Sequence, residues 1–146
     1  MTSFKKLLTA NGYIAHNIRI APKSGHIITK ASINGYEGRF IIDTGASASC
    51  VNQDLEVALQ LQTHVMDKEI GTASGSLIPR IAHNNTLVLG GWSHEDMTLL
   101  SMDMSFINNA LAVERMRAIQ GLLGADFLIA AKAIIDYHRK LIYMKP

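Results

Sequence analysis

The chain contains one cysteine, Cys50, in 146 residues. A lone thiol excludes an intramolecular disulfide framework and any zinc site built on paired cysteines. Charge is also scarce. Asp, Glu, Lys and Arg make up 18% of the residues, too little for a disordered chain. Three prolines and eleven glycines exclude collagen-like or proline-rich repeats. The formal net charge is only +2, and no Lys/Arg run accompanies it, so nucleic acid is not an expected partner. No apolar run reaches the roughly 18 residues of a membrane span. The basic start at Lys5-Lys6 precedes an apolar stretch much shorter than the roughly 7–15 residues of a signal-peptide core. The expected location is therefore cytoplasmic, with no membrane partner.

What the chain does have is apolar residues, 48% of the total, enough to bury a core. They fall mostly in short runs separated by turn residues. Tyr13 to Ile20 alternates. His26 to Ile33, then Asn34-Gly35, then Arg39 to Ile42 reads as a tight β-hairpin. Gln53 to Leu61 and Ser105 to Ile119 have helical spacing, with Asn52 as cap of the first and Gly121 as stop of the second. His64 to Ile70 and Leu77 to Ala82 flank a Gly/Ser/Thr-rich tip, Gly71 to Ser76. Thr86 to Leu89 and Met97 to Met102 read as further strands. Ala133 to Tyr137 and Leu141 to Met144 form a closing hairpin. The expected organisation is a flexible N-terminal segment over 1–12 and one domain over 13–146. The expected fold is mainly β, a small closed barrel with a flap hairpin and one or two short helices.

The sharpest feature is Phe40-Ile41-Ile42-Asp43-Thr44-Gly45-Ala46-Ser47. An aspartate ending an apolar strand is costly to bury unpaired. In a tight turn its carboxylate can instead accept backbone and hydroxyl hydrogen bonds, and Gly45 permits close backbone approach. Later come the glycine-rich tip and Leu122-Leu123-Gly124. Asp43-Thr44-Gly45-Ala46-Ser47, followed in order by that tip and by Leu-Leu-Gly, resembles the retropepsin-like aspartic proteases over roughly His26 to Met144. The stretch Trp92 to Gln120 is longer than in a minimal viral member and is more similar to the cellular and bacterial ones.

The resemblance implies an aspartic endopeptidase with Asp43 as the catalytic carboxylate. Thr44, Gly45, Ala46 and Ser47 would support the loop, and Thr72, Ala73, Ser74 and Gly75 would form the substrate-covering flap. Leu122, Leu123 and Gly124 would pack beside the catalytic loop. Asp-Thr-Gly occurs once, so one chain supplies half of a two-carboxylate site. The implied partner is a second copy, with Thr44 making cross-subunit hydrogen bonds and the strand Leu141 to Lys145 serving as an unpaired edge for the interface. The implied substrate is a peptide or protein, with no cofactor and no metal.

The chain also departs from the viral pattern. Ala125 stands where those proteases commonly carry Arg after the late glycine, and Ser47 where they carry the pairing Asp. The flap has neither a Gly-Gly pair nor the pepsin tyrosine. A second reading on the same fold is a non-catalytic peptide-binding or dimerisation module. Serine-hydrolase chemistry lacks its Gly-x-Ser-x-Gly elbow. The histidines His16, His26, His64, His83, His94 and His138 are scattered, without metal-ligand spacing. No glycine-rich segment carries the lysine of a phosphate-binding loop. Cys50 and Trp92 are expected to pack in the core, and Met97, Met102, Met104 and Met116 to fill the core or an interface. Asp126 is expected to cap a helix beginning at Phe127.

Overall fold

In the computed structural model, which describes residues 3–66, 70–72 and 75–146, the chain begins with helix α1 (Phe4–Ala10) and strands β1 (Ile14–Asn17) and β2 (Arg19–Ile20). It continues through β3 (Ile27–Ile33), β4 (Tyr36–Ile42), β5 (Cys50–Asn52), β6 (Thr63–Val65), β7 (Ile70–Thr72) and β8 (Gly75–Leu77). The long strands β9 (Arg80–Leu89) and β10 (Trp92–Met102) precede α2 (Ser105–Val113), β11 (Gly121–Leu123), α3 (Ala125–Ala130), β12 (Ile134–Asp136) and β13 (Leu141–Met144).

Asn34 and Gly35 both adopt positive φ, +50° and +87°, which a two-residue turn between right-twisted strands requires. Ile33 therefore lies opposite Tyr36, and β3 and β4 pair in register up to Ile27 opposite Ile42. Alternate side chains then enter two different cores. Ile27, Ala31, Ile33, Phe40 and Ile42 join the main core with Leu89, Trp92, Leu123 and Phe127. Ile28 and Ile41 join a second core with Cys50, Leu100, Met104, Leu111 and Ile119. Burial on both faces explains why Phe40-Ile41-Ile42 is apolar without alternation.

Pairing runs β3–β4–β11–β5–β10–β9 and back to β3, a closed ring of six strands, with β2 and β6 attached outside it. The fold is thus mainly β, as expected, with three short α-helices among the described residues. The additional helix is α1, in a segment where the sequence pattern offered no element. Ser3 caps it by accepting from the Lys6 N–H at 3.1 Å, and Phe4 meets the Tyr143 ring edge-on.

Several expectations change in length or place. The helix expected over Gln53 to Leu61 is a 3₁₀ turn, Gln53–Leu55, plus one further turn closed by the Leu59 N–H on Leu55 O. Gln60 then takes φ +54°, and the Asn34 side chain holds the Leu59 carbonyl at 2.8 Å. Asn52 begins that turn but makes no side-chain capping bond. The second helix stops at Val113 rather than Ile119. Arg115 turns left-handed, and the Asn108 side chain brackets the Ile119 backbone N–H and C=O, drawing the chain back as an irregular segment. Leu77–Ala82 and Thr86–Leu89 were expected as separate strands. Arg80–Leu89 is one strand, passing through Asn84 at φ +60°.

A separate sheet has the order β1–β13–β12. This corrects the expectation that Leu141 to Lys145 is an unpaired edge. Strand β13 is central, Leu141 to Met144 are all buried, and β1 arrives from the other end of the chain to cover it.

Candidate active site

Strand β4 delivers Asp43 to the barrel rim, half-buried, directly after its apolar run. The loop that follows is tied at both ends. Asp43 N–H donates to Leu123 O at 2.9 Å, and Ala46 N–H donates to Asp43 O at 3.2 Å. The Asp43 carboxylate itself accepts from the Gly45 N–H at 2.9 Å. Thr44, Gly45 and Ser47 are exposed, and Ala46 is half-buried. A carboxylate held by one backbone donor keeps its other oxygen available for external chemistry.

The loop is placed by the strand that threads behind it. β11 lies between β4 and β5, parallel to the first and antiparallel to the second. Leu122 sits opposite Ile41 and Leu123 opposite Ile42, with Leu123 fully buried. Gly124 then passes so close to the loop that a Cβ there would lie 2.6 Å from Ala46 O and 3.0 Å from Ala48 O. Ala125 N–H closes the contact on Ala46 O at 2.7 Å. Gly121, expected only as a helix stop, is equally constrained, because a Cβ would overlap the Cys50 carbonyl oxygen and press on the Phe40 ring. Its signal was present in the sequence as a glycine just before Leu-Leu-Gly, but close packing leaves no periodic pattern.

Asp126 is the other residue whose role the sequence pattern understated. It does not cap α3, where Gly124 occupies the cap position. Its carboxylate instead reaches the far end of the catalytic-type loop. It accepts from Ser49 N–H at 2.9 Å and Ser49 Oγ at 2.7 Å, and also from Phe127 N–H at 2.7 Å. The Ser49 hydroxyl in turn accepts from Gly124 N–H at 2.9 Å. Together with the Ala125 N–H bond to Ala46 O, this network ties the loop to α3. Asp126→Ala leaves the buried Ser49 groups without an acceptor. Urea unfolding is expected to show a loss of about 2 kcal/mol, the usual cost of an orphaned buried donor. Asp126→Asn, which keeps one acceptor oxygen, should lose less.

The residues expected to form the flap divide. Thr72 and Gly75 pair across β7 and β8. Ala73 and Ser74, expected at the tip, lie outside the described residues. Beside Asp43 is an open cavity of about 230 Å³. Ile41, Ile42 and Thr44 line one side, and Ser24, His26 and Tyr137 line the other. His26 Nδ1 is 2.7 Å from Ser24 Oγ, and the Tyr137 ring is 58% exposed. These last three were not singled out in the sequence; they come from two distant turns that only folding brings to Asp43.

Cys50 is buried behind the loop as a free thiol. Burial first of all, with Asp126 and Asp43 adding to it, pushes its pKa up to about 11 against an opposing backbone hydrogen bond. Cys50 should therefore resist thiol reagents in the native protein near neutral pH and react on unfolding. An acid with a raised folded pKa favours the native state while protonated. That contribution is present below about pH 9 and lost as pH rises through about 11, so urea midpoints should fall across this window.

Trp92 and Met97 are core residues, as expected, with Trp92 edge-on to Phe127. Among the described residues no group of three or more His, Cys, Asp or Glu side chains converges as a metal site, and no helix is long and apolar enough to cross a membrane.

A six-stranded barrel that includes β11 between β4 and β5, with an Asp-Thr-Gly loop at its rim, defines the acid-protease class. A family model described as aspartyl protease matches residues 29–127. The chain belongs to the aspartyl protease family, and its activity class is that of an aspartic-type endopeptidase. Among solved structures it is similar to a retropepsin-like aspartic protease from Rickettsia conorii, with 20% identity and a TM-score of 0.60 over 91% of this chain and 89% of that one. It is also similar to EIAV protease complexed with the inhibitor HBY-793, with 18% identity and a TM-score of 0.59 over 80% of this chain and 97% of that one. The fold is retropepsin-like. No curated protein matches the sequence.

Proposed function

We propose that the protein hydrolyses peptide bonds as a homodimer, with Asp43 of each copy forming a shared two-carboxylate site. The observation that carries this reading is the single Asp43 at the barrel rim, fixed by the Gly45 N–H and flanked by the exposed Thr44 and Gly45. A two-fold axis through this point brings two identical loops together and leaves each complete only with its partner.

Two carboxylates in contact hold one proton between them, because both cannot ionise at that distance. The ionised one takes a proton from a bridging water, which attacks the scissile carbonyl carbon. The protonated one donates to the carbonyl oxygen. Collapse of the tetrahedral intermediate passes a proton to the leaving amine and restores the starting pair. Thr72 to Gly75 serves as the flap that covers the peptide and excludes water. The apolar wall of Ile41 and Ile42 and the Tyr137 ring give the neighbouring cavity a preference for an uncharged side chain.

Subunit mixing tests the shared site. After exchange with an equal amount of Asp43→Asn chains, random pairing leaves about a quarter of the activity of wild-type enzyme at the same total chain concentration, because every mixed dimer lacks one carboxylate. Retention of one half would mean that each chain acts alone and would reject the homodimeric site.

A further inference from the structure

The larger cavity lies away from the candidate active site. It is an open cleft of about 700 Å³ between the β2–β4 strands and the loop after α2. Four cations line it, Arg19, Lys30, Arg39 and Arg117, against one carboxylate, Glu37. That is a formal +3 in one cleft of a chain whose total is +2. Among the described residues the ion pairs are Arg80–Glu56 and Arg139–Asp136, so none of the four belongs to one.

The placement is unfavourable on its own terms. Lys30 and Arg39 are direct cross-strand partners. Like charges opposite each other destabilise a sheet. Arg117 enters from the α2–β11 loop, and the Arg39 guanidinium reaches that loop at Ala118 O, 3.5 Å away. Partial burial, then Arg117 and Arg19 nearby, hold the Arg39 guanidinium below its ordinary pKa. A sheet that tolerates this arrangement has cationic donors waiting for an anion.

We propose that this cleft is a binding site for a small, multiply charged phosphate compound. The four cations come from β2, β3, β4 and the α2–β11 loop and converge on one cavity rather than forming a stripe along the surface. That geometry suits a compact multivalent anion better than an extended acidic peptide. Guanidinium forks match phosphate oxygens in pairs. The cleft is also coupled to the fold behind Asp43. Gln120 exchanges two hydrogen bonds with the Arg39 backbone, at 2.6 and 2.8 Å, and the next residue opens β11, whose Leu123 holds the Asp43 N–H. An anion bridging Arg39 and Arg117 braces this connection.

Thermal unfolding with sodium tripolyphosphate, against sodium chloride at matched ionic strength, tests the site without reference to protease activity. Saturating tripolyphosphate is expected to raise the midpoint by about 4 °C or more beyond the chloride control. The Arg39→Gln/Arg117→Gln double variant and the single Lys30→Gln variant should weaken binding at least about tenfold, as expected for lost charge-assisted contacts. They should be no less stable than wild type without anion, because they relieve like-charge repulsion. Lys6→Gln, on the exposed face of α1, should bind as wild type does. A shift no larger than with chloride, or one that survives in the double variant, would overturn the proposal. So would tighter binding of oligo-glutamate than of tripolyphosphate, which would make the cleft a carboxylate-peptide site.

Discussion

Asp43→Asn is expected to reduce peptide hydrolysis by about 10³-fold or more, the scale of losing a general acid–base group, while leaving the fold intact. Asparagine cannot ionise, so the proposed shared site loses both the base that activates water and the proton that polarises the carbonyl. It does keep an oxygen in the place of the acceptor that now takes the Gly45 N–H at 2.9 Å, so the loop has no reason to move. The comparison needs two measurements: turnover of a peptide substrate from acidic to neutral pH, and the thermal midpoint. Undiminished turnover removes Asp43 from the chemistry. A collapsed midpoint would mean that the variant reports on folding and not on catalysis.

The second large effect is on stability and comes from a residue with no chemistry at all. Gly121→Ala is expected to cost about 3 kcal/mol, at the upper end for an overpacked core, and about 10 °C in the thermal midpoint. The added methyl meets the Cys50 carbonyl oxygen on one side and the Phe40 ring on the other. The first is backbone of the neighbouring strand and cannot rotate away. Relief requires β11 to separate from β5, which also displaces the Leu123 carbonyl from Asp43. Gly91→Ala provides the control. Its Cβ would meet only Ile14 Cγ2, at 3.5 Å, so its midpoint should stay close to wild type. Equal effects at the two glycines would mean that backbone freedom, and not the close passage of β11, is what Gly121 supplies.

The Gly121 prediction rests on one short strand, and the legibility of that strand was uneven. Leu122-Leu123-Gly124 stood out because an apolar pair before glycine follows a hairpin tip and an Asp-Thr-Gly loop in a fixed order. Gly121 did not, since the same glycine also ends a plausible helix. The helical spacing of Ser105 to Ile119 misled for a related reason. Its last residues do face the second core, but as an irregular segment held by the Asn108 side chain rather than as further helical turns. Periodicity reports which residues are buried, and a short irregular segment beside a helix can bury the same set.

Asp126 illustrates a different limit. Its proximity to the start of α3 invited a capping role, because local hydrogen bonds are the ones a sequence displays. Two of its partners, the Ser49 N–H and hydroxyl, lie 77 positions away. The reversed expectation for β13 has the same origin. A C-terminal strand looks like an edge until β1, from the opposite end of the chain, pairs with it.

The hairpin at Asn34-Gly35, the mainly β class and the Asp-Thr-Gly loop are legible in short stretches of chain, because turn chemistry and strand burial act over a few neighbouring residues. The sequence by itself also determined that each chain carries one such aspartate. Tertiary structure alone decided which residues hold that loop, that β13 is interior, and that Arg19, Lys30, Arg39 and Arg117 share a cleft. Those outcomes depend on strand pairing between segments far apart in the chain. Such pairing is set by closure of the whole barrel, and no local window of sequence contains it.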